Sequence, residues 1–503
     1  MIDALPAVGV PAEVVLDELR ALRAADLPTT GGRLFAYVYD PAVAGLDDLA
    51  GAAHALAAHV NGLDPTAFPS LLAMENALVA AAARLLGGGP GSAAPDVVGS
   101  VTGGGTESLI LAVKAARDAR TDLAAPRLVV PTTGHAAFAK AAHYLGVALD
   151  QVPVSVDTLR PDPADVAAAI GPDTVLVACS APAYAHGVVD PVAEIAEAAA
   201  RAGVRCHVDA CFGGWVLPYL RRLGADVPPF DFGVPGVTSV SVDLHKYAYC
   251  PKGVSVLLHR EPALRRPQYF AFADWPGYTM INPGVSSTRS GGPIAAAVAT
   301  MRHLGDAGYL ELARRTRDAV AALAGAVRAT PGLRLLAEPS GTVVCFASAD
   351  PGLDVFVLAD ELALRGWHTQ PQTSYAGIPA SVHLSVTAAV APQAADFGPA
   401  LTEAAEAARA LGAARLPASA SELVASLTPE ALTPEVVAAL AAGLGLGAPG
   451  AGSAGDAGGG VLPERMAPVN ALLDAAPPRL REALLTEFLG LLQRPAWGRS
   501  PEI

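Results

Sequence analysis

Ser239-Val-Ser-Val-Asp243-Leu-His245-Lys246-Tyr247-Ala-Tyr-Cys-Pro251-Lys252-Gly253 passes from alternating apolar residues into charge and rings. Residues 237–242 predict a β-strand that ends where the charges begin. A lysine directly after such a strand is a poor core residue and a good nucleophile. Partial desolvation is expected to lower the pKa of Lys246 and leave more of it as free amine. A solvated lysine at a strand end would look the same in isolation, so the reading depends on what else the chain brings to Lys246.

Upstream, strands are predicted at 97–102, 127–131, 174–178 and 205–208, with helices at 107–119, 136–145 and 191–202. That alternation indicates βα units and a mostly parallel sheet covered on both faces, with ligands bound beyond the carboxyl ends of the strands. Earlier still, 11–25 reads as a helix with Val14, Val15, Leu16, Leu19 and Leu22 on one face, and a strong helix at 68–86 stops at Gly87-Gly88-Gly89-Pro90. After Gly291-Gly292 the pattern changes. Helices at 293–304, 310–329, 354–364 and 400–411, with strands within 333–348 and at 381–385, predict a smaller α+β lobe. The organisation expected is an N-terminal arm over 1–50, a large α/β domain over 51–305, a small α+β domain over 306–417 and a C-terminal extension over 418–503. The extension holds a Gly/Ala-rich linker at 443–460 and a terminal amphipathic helix at 479–492.

Composition excludes several classes. The 503 residues are 52% hydrophobic, with a formal net charge of −14. An acidic chain is a poor partner for nucleic acid or an anionic membrane surface, though this says nothing about a small anion in a local pocket. No run of about twenty apolar residues predicts a membrane span, and the first residues lack the pattern of a signal peptide. The five cysteines, Cys179, Cys206, Cys211, Cys250 and Cys345, are odd in number and widely spaced, which fits a reduced, cytoplasmic protein. Without a second pair at zinc spacing, Cys206 and Cys211 read as small buried residues, and no metal site is expected.

Four features end strands on what should be one edge of the sheet. Thr102-Gly103-Gly104-Gly105-Thr106-Glu107-Ser108 lies between a strand and a helix. Its glycines let backbone N–H groups approach an anion, Thr106 is positioned to cap the helix, and the helix N-terminus favours negative charge. No Gly-Lys-Ser/Thr follows, so it is not a nucleotide P-loop. His135 opens a helix and can lie flat against an aromatic ligand. Asp209 ends the apolar run after His207, where an unpaired carboxylate is expensive. Lys246 is the fourth. Pyridoxal phosphate uses all four: an amine for its aldehyde, a carboxylate for its ring nitrogen, an anion site for its phosphate and a flat partner for its ring. Lys246, Asp209, Gly104-Gly105-Thr106 and His135 supply them, and Lys246, Asp209 and His135 are the catalytic candidates. A metal held by His207 and Asp209 is the rival, and it lacks further ligands at suitable spacing.

These motifs resemble the pyridoxal-phosphate-dependent decarboxylase superfamily (group II), most closely the sphingosine phosphate lyase branch. Asp243-Leu-His245-Lys246-Tyr247-Ala-Tyr-Cys-Pro251-Lys252-Gly253 is similar to that branch's Asp-x-His-Lys-Tyr-Gly-x-x-Pro-Lys-Gly, and Thr102 to Ser108 to its Thr-Ser-Gly-Gly-Thr-Glu-Ser. His135-Ala-Ala-Phe-x-Lys140, Ala181-Pro182-x-x-x-His186-Gly187, His207-Val-Asp209-Ala-Cys and Ser286-Ser-Thr-Arg289-Ser290-Gly291-Gly292 also match, in order. The resemblance implies the pyridoxal-phosphate-dependent transferase fold (aspartate aminotransferase-like) and a homodimer with shared active sites. It also implies Lys246 as the Schiff-base lysine, His245 near the phosphate, and the Gly291 loop reaching the partner subunit's phosphate. Tyr39 could form a substrate wall, and Lys252 matches a phosphate-contacting lysine of the family. The branch's Asn-x-x-His segment, which helps hold the substrate's own phosphate, here reads Asn61-Gly62-Leu63-Asp64. An aspartate beside a phosphate is unfavourable, so that subsite is altered.

The function these residues predict is a carbon–carbon lyase acting on a small-molecule amine or amino acid. Decarboxylation of an amino acid leads narrowly. Aldehyde-releasing cleavage of the sphingosine phosphate lyase type is the alternative, with an aminotransferase or a catalytically silent scaffold behind both.

Overall fold

The computed structural model describes residues 5–414, 427–443 and 465–493. Seven strands form the central sheet: β1 (Val98–Thr102), β2 (Arg127–Pro131), β3 (Ala148–Val152), β4 (Thr174–Ser180), β5 (Arg205–Asp209), β6 (Val237–Asp243) and β7 (Ser255–His259). Their order is β1-β7-β6-β5-β4-β2-β3, and only β7 runs antiparallel to its neighbours. Strands β4 to β7 are buried almost end to end, as continuous apolar runs in a sheet covered on both faces should be. The helices are α1 (Ala12–Arg23), α2 (Leu46–Ala57), α3 (Pro69–Leu85), α4 (Gly105–Asp118), α5 (Ala137–Leu145), α6 (Pro163–Ala169), α7 (Val192–Arg201), α8 (Leu217–Arg222) and α9 (Pro262–Arg265).

The sequence pattern missed β3, α6 and β7, and with them the short helices α8 and α9. The first is polar and half exposed, the second is a single short helix capped by Asp162, and the third is a five-residue run just after the Pro251-Lys252-Gly253 turn. The helix at α1 forms as its periodicity predicts, yet it buries none of its residues within the chain.

A hairpin of β8 (Phe270–Phe272) and β9 (Met280–Asn282) leads to α10 (Gly291–Ala329), whose first turn Ser290 caps. This long helix breaks at Gly305, where φ is 60° and ψ 177°. A second antiparallel sheet, order β10-β11-β13-β12, contains β10 (Leu333–Leu335), β11 (Val343–Ser348), β12 (Gln370–Gln372) and β13 (Ser381–Ser385). It packs with α11 (Val355–Leu364) and α12 (Ala394–Leu411) around its own apolar core. Beyond it, α13 (Pro434–Gly443), α14 (Ala467–Ala475) and α15 (Pro478–Leu492) share a small core of Leu440, Leu472, Leu480 and Leu484. Past Gly443 itself, the Gly/Ala-rich linker expected at 443–460 lies outside the described residues.

Candidate active site

A cavity of about 630 Å³ opens beyond the carboxyl ends of β5 and β6 and beside the N-terminus of α4. Gly104, Gly105, Thr106, His135, Asp209, His245 and Lys246 all border it. The fold therefore brings the four separate sequence features to one place.

Lys246 differs from expectation in its protonation. Its Nζ lies 2.8 Å from Asp243 Oδ2, with one-fifth of the lysine side chain and almost none of the aspartate exposed to solvent. Burial opposes the lysine's charge, but the Asp243 carboxylate outweighs it, with Cys211 and Asp209 adding, and the amine's pKa is raised. Burial would also raise the pKa of Asp243; Lys246, His245 and the Ser255 hydroxyl, which donates at 2.5 Å, hold it below the ordinary value instead. The expected free amine is thus an ammonium in a buried ion pair. His245 completes the group. Its Nδ1 is 3.0 Å from the Val254 carbonyl, which it can only approach as a donor, and its Nε2 stands 3.6 Å from Asp243. Burial lowers the pKa of His245 despite the neighbouring carboxylate.

The glycine turn also differs in detail. Thr106 does not cap α4; no side chain does, and Gly104 occupies the cap position. Glu107 takes over, accepting the Gly103 N–H at 2.6 Å through one oxygen and the Val285 N–H at 2.7 Å through the other. It ties the 283–286 loop to the glycine turn, and Thr106 is left facing the cavity. Gly105 is required by packing. A Cβ there would come within 2.9 Å of Cys211 Sγ and 3.0 Å of both Asp243 oxygens. Neither Glu107 nor Asp243 was singled out from sequence. Glu107 carries a signal that could have found it, a Glu placed three residues after the cap.

Asp209 is buried at the end of β5 and accepts the Cys211 N–H at 3.1 Å. His135 lies just before α5 and borders the cavity. Its Nδ1 accepts the Ala137 N–H at 3.1 Å at the start of α5, while the ring remains exposed to the cavity. His207 does not join the site. Its ring nitrogens face Ser239 Oγ at 2.8 Å and Ser241 Oγ at 3.2 Å, and burial drives its pKa down to about 3. Its ring nitrogens are thus already partnered, away from Asp209 and the cavity.

Of the remaining candidates, Tyr39 stands one ring behind the cavity wall, edge-on to Phe212 at 6.2 Å and to Tyr247 at 5.2 Å. Lys252 Nζ lies over the Tyr39 ring at 5.0 Å, and burial, reinforced by Lys246, lowers its pKa. Asn61 Oδ1 accepts the N–H groups of Leu63 and Arg289, anchoring the loop before α10. Asp64 is exposed and turned onto the Thr66 hydroxyl and N–H. Gly291 is buried against Ala57 and Val60. Within one chain Asn61, Asp64 and Gly291 do not border the cavity. Tyr184, Phe212 and Ser286 do, and sequence reasoning passed over them as site residues.

The residues present fit pyridoxal phosphate. They place an amine, a buried carboxylate, an open helix N-terminus lined by glycines and an open histidine ring around one cavity. Bound there, the group would take up the electron pair of a breaking bond, with Asp209 keeping its ring nitrogen protonated and the Gly104–Thr106 turn holding its phosphate.

Comparison with known proteins agrees with that fit. The family described as "Pyridoxal-dependent decarboxylase conserved domain" matches residues 29–349. A second, described as a C-terminal putative HTH domain of pyridoxal-dependent enzymes, matches residues 418–491. Sphingosine-1-phosphate lyase of Arabidopsis thaliana is 38% identical over 70% of this chain and 64% of its own length. The rice enzyme is 36% identical over 76% and 70%. The chain thus spans about two thirds of these relatives. Among solved structures, a Burkholderia pseudomallei sphingosine-1-phosphate lyase superposes with a TM-score of 0.76 at 36% identity, over 81% of this chain and 93% of that one. A Lactobacillus brevis glutamate decarboxylase gives 0.69 at 20% identity, over 81% and 95%, and shares the fold.

Proposed function

The chain belongs to the pyridoxal-dependent decarboxylase family, and from that premise we propose that it is a pyridoxal-phosphate-dependent carbon–carbon lyase that releases an aldehyde. The substrate class is a small amine bearing a hydroxyl on the neighbouring carbon. Decarboxylation of an amino acid, the narrow leader from sequence, becomes the second reading.

One observation carries the choice. Among the described residues, the cavity wall contains the carboxylates of Glu107, Asp209 and Asp243, several rings and one amine, with no arginine. A substrate carboxylate entering there would find no arginine to pair with and would meet like charge, whereas an amine and a hydroxyl carry no negative charge for the wall to repel. The greater identity to sphingosine-1-phosphate lyases than to decarboxylases supports the same choice.

In this reading Lys246 would hold the cofactor, and its amine, once free, would carry the proton that is returned to the product. Asp243 and His245 receive and restore that proton at the lysine. His135 orients the ring system, and Phe212 and Tyr184 wall off water. Asp64, facing solvent, gives a substrate phosphate no help, so an unphosphorylated hydroxy-amine is the preferred form.

A homodimer fits the chain, because α1 leaves Val14, Val15, Leu16, Leu19 and Leu22 at 40–52% exposure with no cover of its own. Five buried free cysteines suit a reducing, cytoplasmic compartment. No helix among the described residues is long and apolar enough to cross a membrane.

Product identity tests the proposal. Aldehyde and carbon dioxide are assayed side by side over a panel of hydroxy-amines, their phosphates and amino acids. Aldehyde supports it, carbon dioxide alone favours decarboxylation, and amination of an added keto acid would point to transamination.

A further inference from the structure

The C-terminal helices grip the far end of the strand that braces the cavity wall. Strand β12 is three residues long, lies at the sheet edge and, among the described residues, pairs only with β13. Such a strand is weakly held by its own ladder. Yet it carries two side chains into the large domain. Gln370 Oε1 accepts the Tyr184 hydroxyl at 2.5 Å, and Gln372 Nε2 donates to the Ala185 carbonyl at 2.8 Å. His383, paired with Gln370 in the sheet, stacks on Tyr184 at 4.6 Å and reaches the same Ala185 carbonyl. Tyr184 borders the cavity. One wall of the cavity therefore leans on β12.

What holds β12 from behind is the helical pair α14 and α15. Asp474 Oδ1 accepts both the N–H and the hydroxyl of Ser374, at 2.6 and 2.8 Å. Arg481 donates to Thr373 Oγ1 at 2.9 Å and to the carbonyls of Asp474 and Ala476 at 3.3 Å, which locks the turn between the two helices. The module is fastened elsewhere too. Asp360 accepts the Met466 and Ala467 N–H groups at the start of α14, and Arg465 pairs with Glu361 at 2.8 Å. Residues 418–491 carry three arginines against eight acidic residues. Arg465 and Arg481 are both spent on these inward contacts, so the module lacks the basic face that a nucleic-acid reader needs.

We infer that the C-terminal helical module is an internal clamp: Asp474 and Arg481 are positioning residues that fix β12 and, through Gln370 and Gln372, the Tyr184–Ala185 wall of the cavity. The clamp itself rests on geometry; its effect on substrate rests on the cavity being the substrate site.

The test compares the full-length, cofactor-loaded protein with Asp474→Ala and with Thr373→Val, which removes a partner of Arg481 without touching the module. Hydrogen exchange is followed at 183–187 and 370–374, and 2-aminoethanol, the smallest unphosphorylated hydroxy-amine of the proposed class, is titrated against the visible band. The expected result is exchange roughly tenfold faster at both segments, as for the loss of one or two hydrogen bonds, with probe affinity weakened by a similar factor and Asp474→Glu restoring both. Faster exchange confined to 434–443 and 467–492, with 183–187 unchanged in both variants, would overturn the clamp. A wild-type protein that ignores the probe would count against the substrate reading alone, and the exchange at 183–187 would still decide the clamp.

Discussion

The Lys246 amine and the Asp243 carboxylate form a 2.8 Å ion pair at the end of one strand, walled in by Ser255, His245 and Gly105. The pair stores the lysine as ammonium, so the nucleophile that a Schiff base needs has to be released by proton transfer to a neighbour within reach.

Removing that carboxylate tests the pair. Asp243→Asn should lower the pKa of the Lys246 amine by about 1–3 units, the usual effect of losing an opposite charge at this distance. Competitive labelling of the cofactor-free protein across pH, read by mass at Lys246, measures it. Ser255→Ala should move the value less, in the same direction. An unchanged pKa in Asp243→Asn would mean the ion pair does not control the amine.

Gly105 tests the cradle. Gly105→Ala forces a methyl against Cys211 and Asp243, at a cost of about 1–3 kcal/mol for overpacking. Dialysis of the loaded protein should strip pyridoxal phosphate from this variant faster than from wild type, at nearly unchanged secondary structure by circular dichroism.

Asp190 supplies a pH signature outside the chemistry. It is buried beside β4, accepts the Ser180 N–H at 2.7 Å through one oxygen and leaves the other without a partner, and burial pushes its pKa up to about 7. The folded state therefore keeps a proton between about pH 4 and 7 that the unfolded chain releases, and the contribution of Asp190 to stability falls as pH rises through that window. Asp190→Asn keeps the acceptor without the charge. It should be more stable than wild type at pH 8, by up to about 4 kcal/mol, with the gap shrinking at pH 5. Urea midpoints at the two pH values check this.

The buried histidines set the acid side. His207 is depressed to about 3, and His383, His259 and the half-buried His186 to about 4, each first by burial. The unfolded chain takes up these protons near pH 6.5 and the folded protein does not, so stability drops as pH falls from about 6.5 toward 4. His207→Gln, which can still bond to Ser239, should flatten that limb in thermal melts.

Much of this architecture was legible because buried parallel strands are written as apolar runs. The four candidate groups could be assembled because strand ends collect on one edge of such a sheet. Less was legible where a long-range neighbour decides. Asp243 sits inside the motif that drew attention to Lys246, but its hold on the amine depends on the backbone turn after β6. Thr106 has the composition of a cap, and Glu107 bridges to a loop nearly 180 residues away. Asn61 and Asp64 align with a substrate-phosphate segment, yet one fastens a loop and the other faces solvent. The α1 stripe has correct helical spacing, but periodicity does not say what covers it.

The most direct test of the account is to load the protein with pyridoxal phosphate, reduce it with borohydride, digest it and locate the pyridoxyl group by mass. The account predicts one label, on Lys246, absent in Lys246→Ala together with the visible band. A label on Lys252 or Lys140, or a visible band that survives in Lys246→Ala, would contradict it.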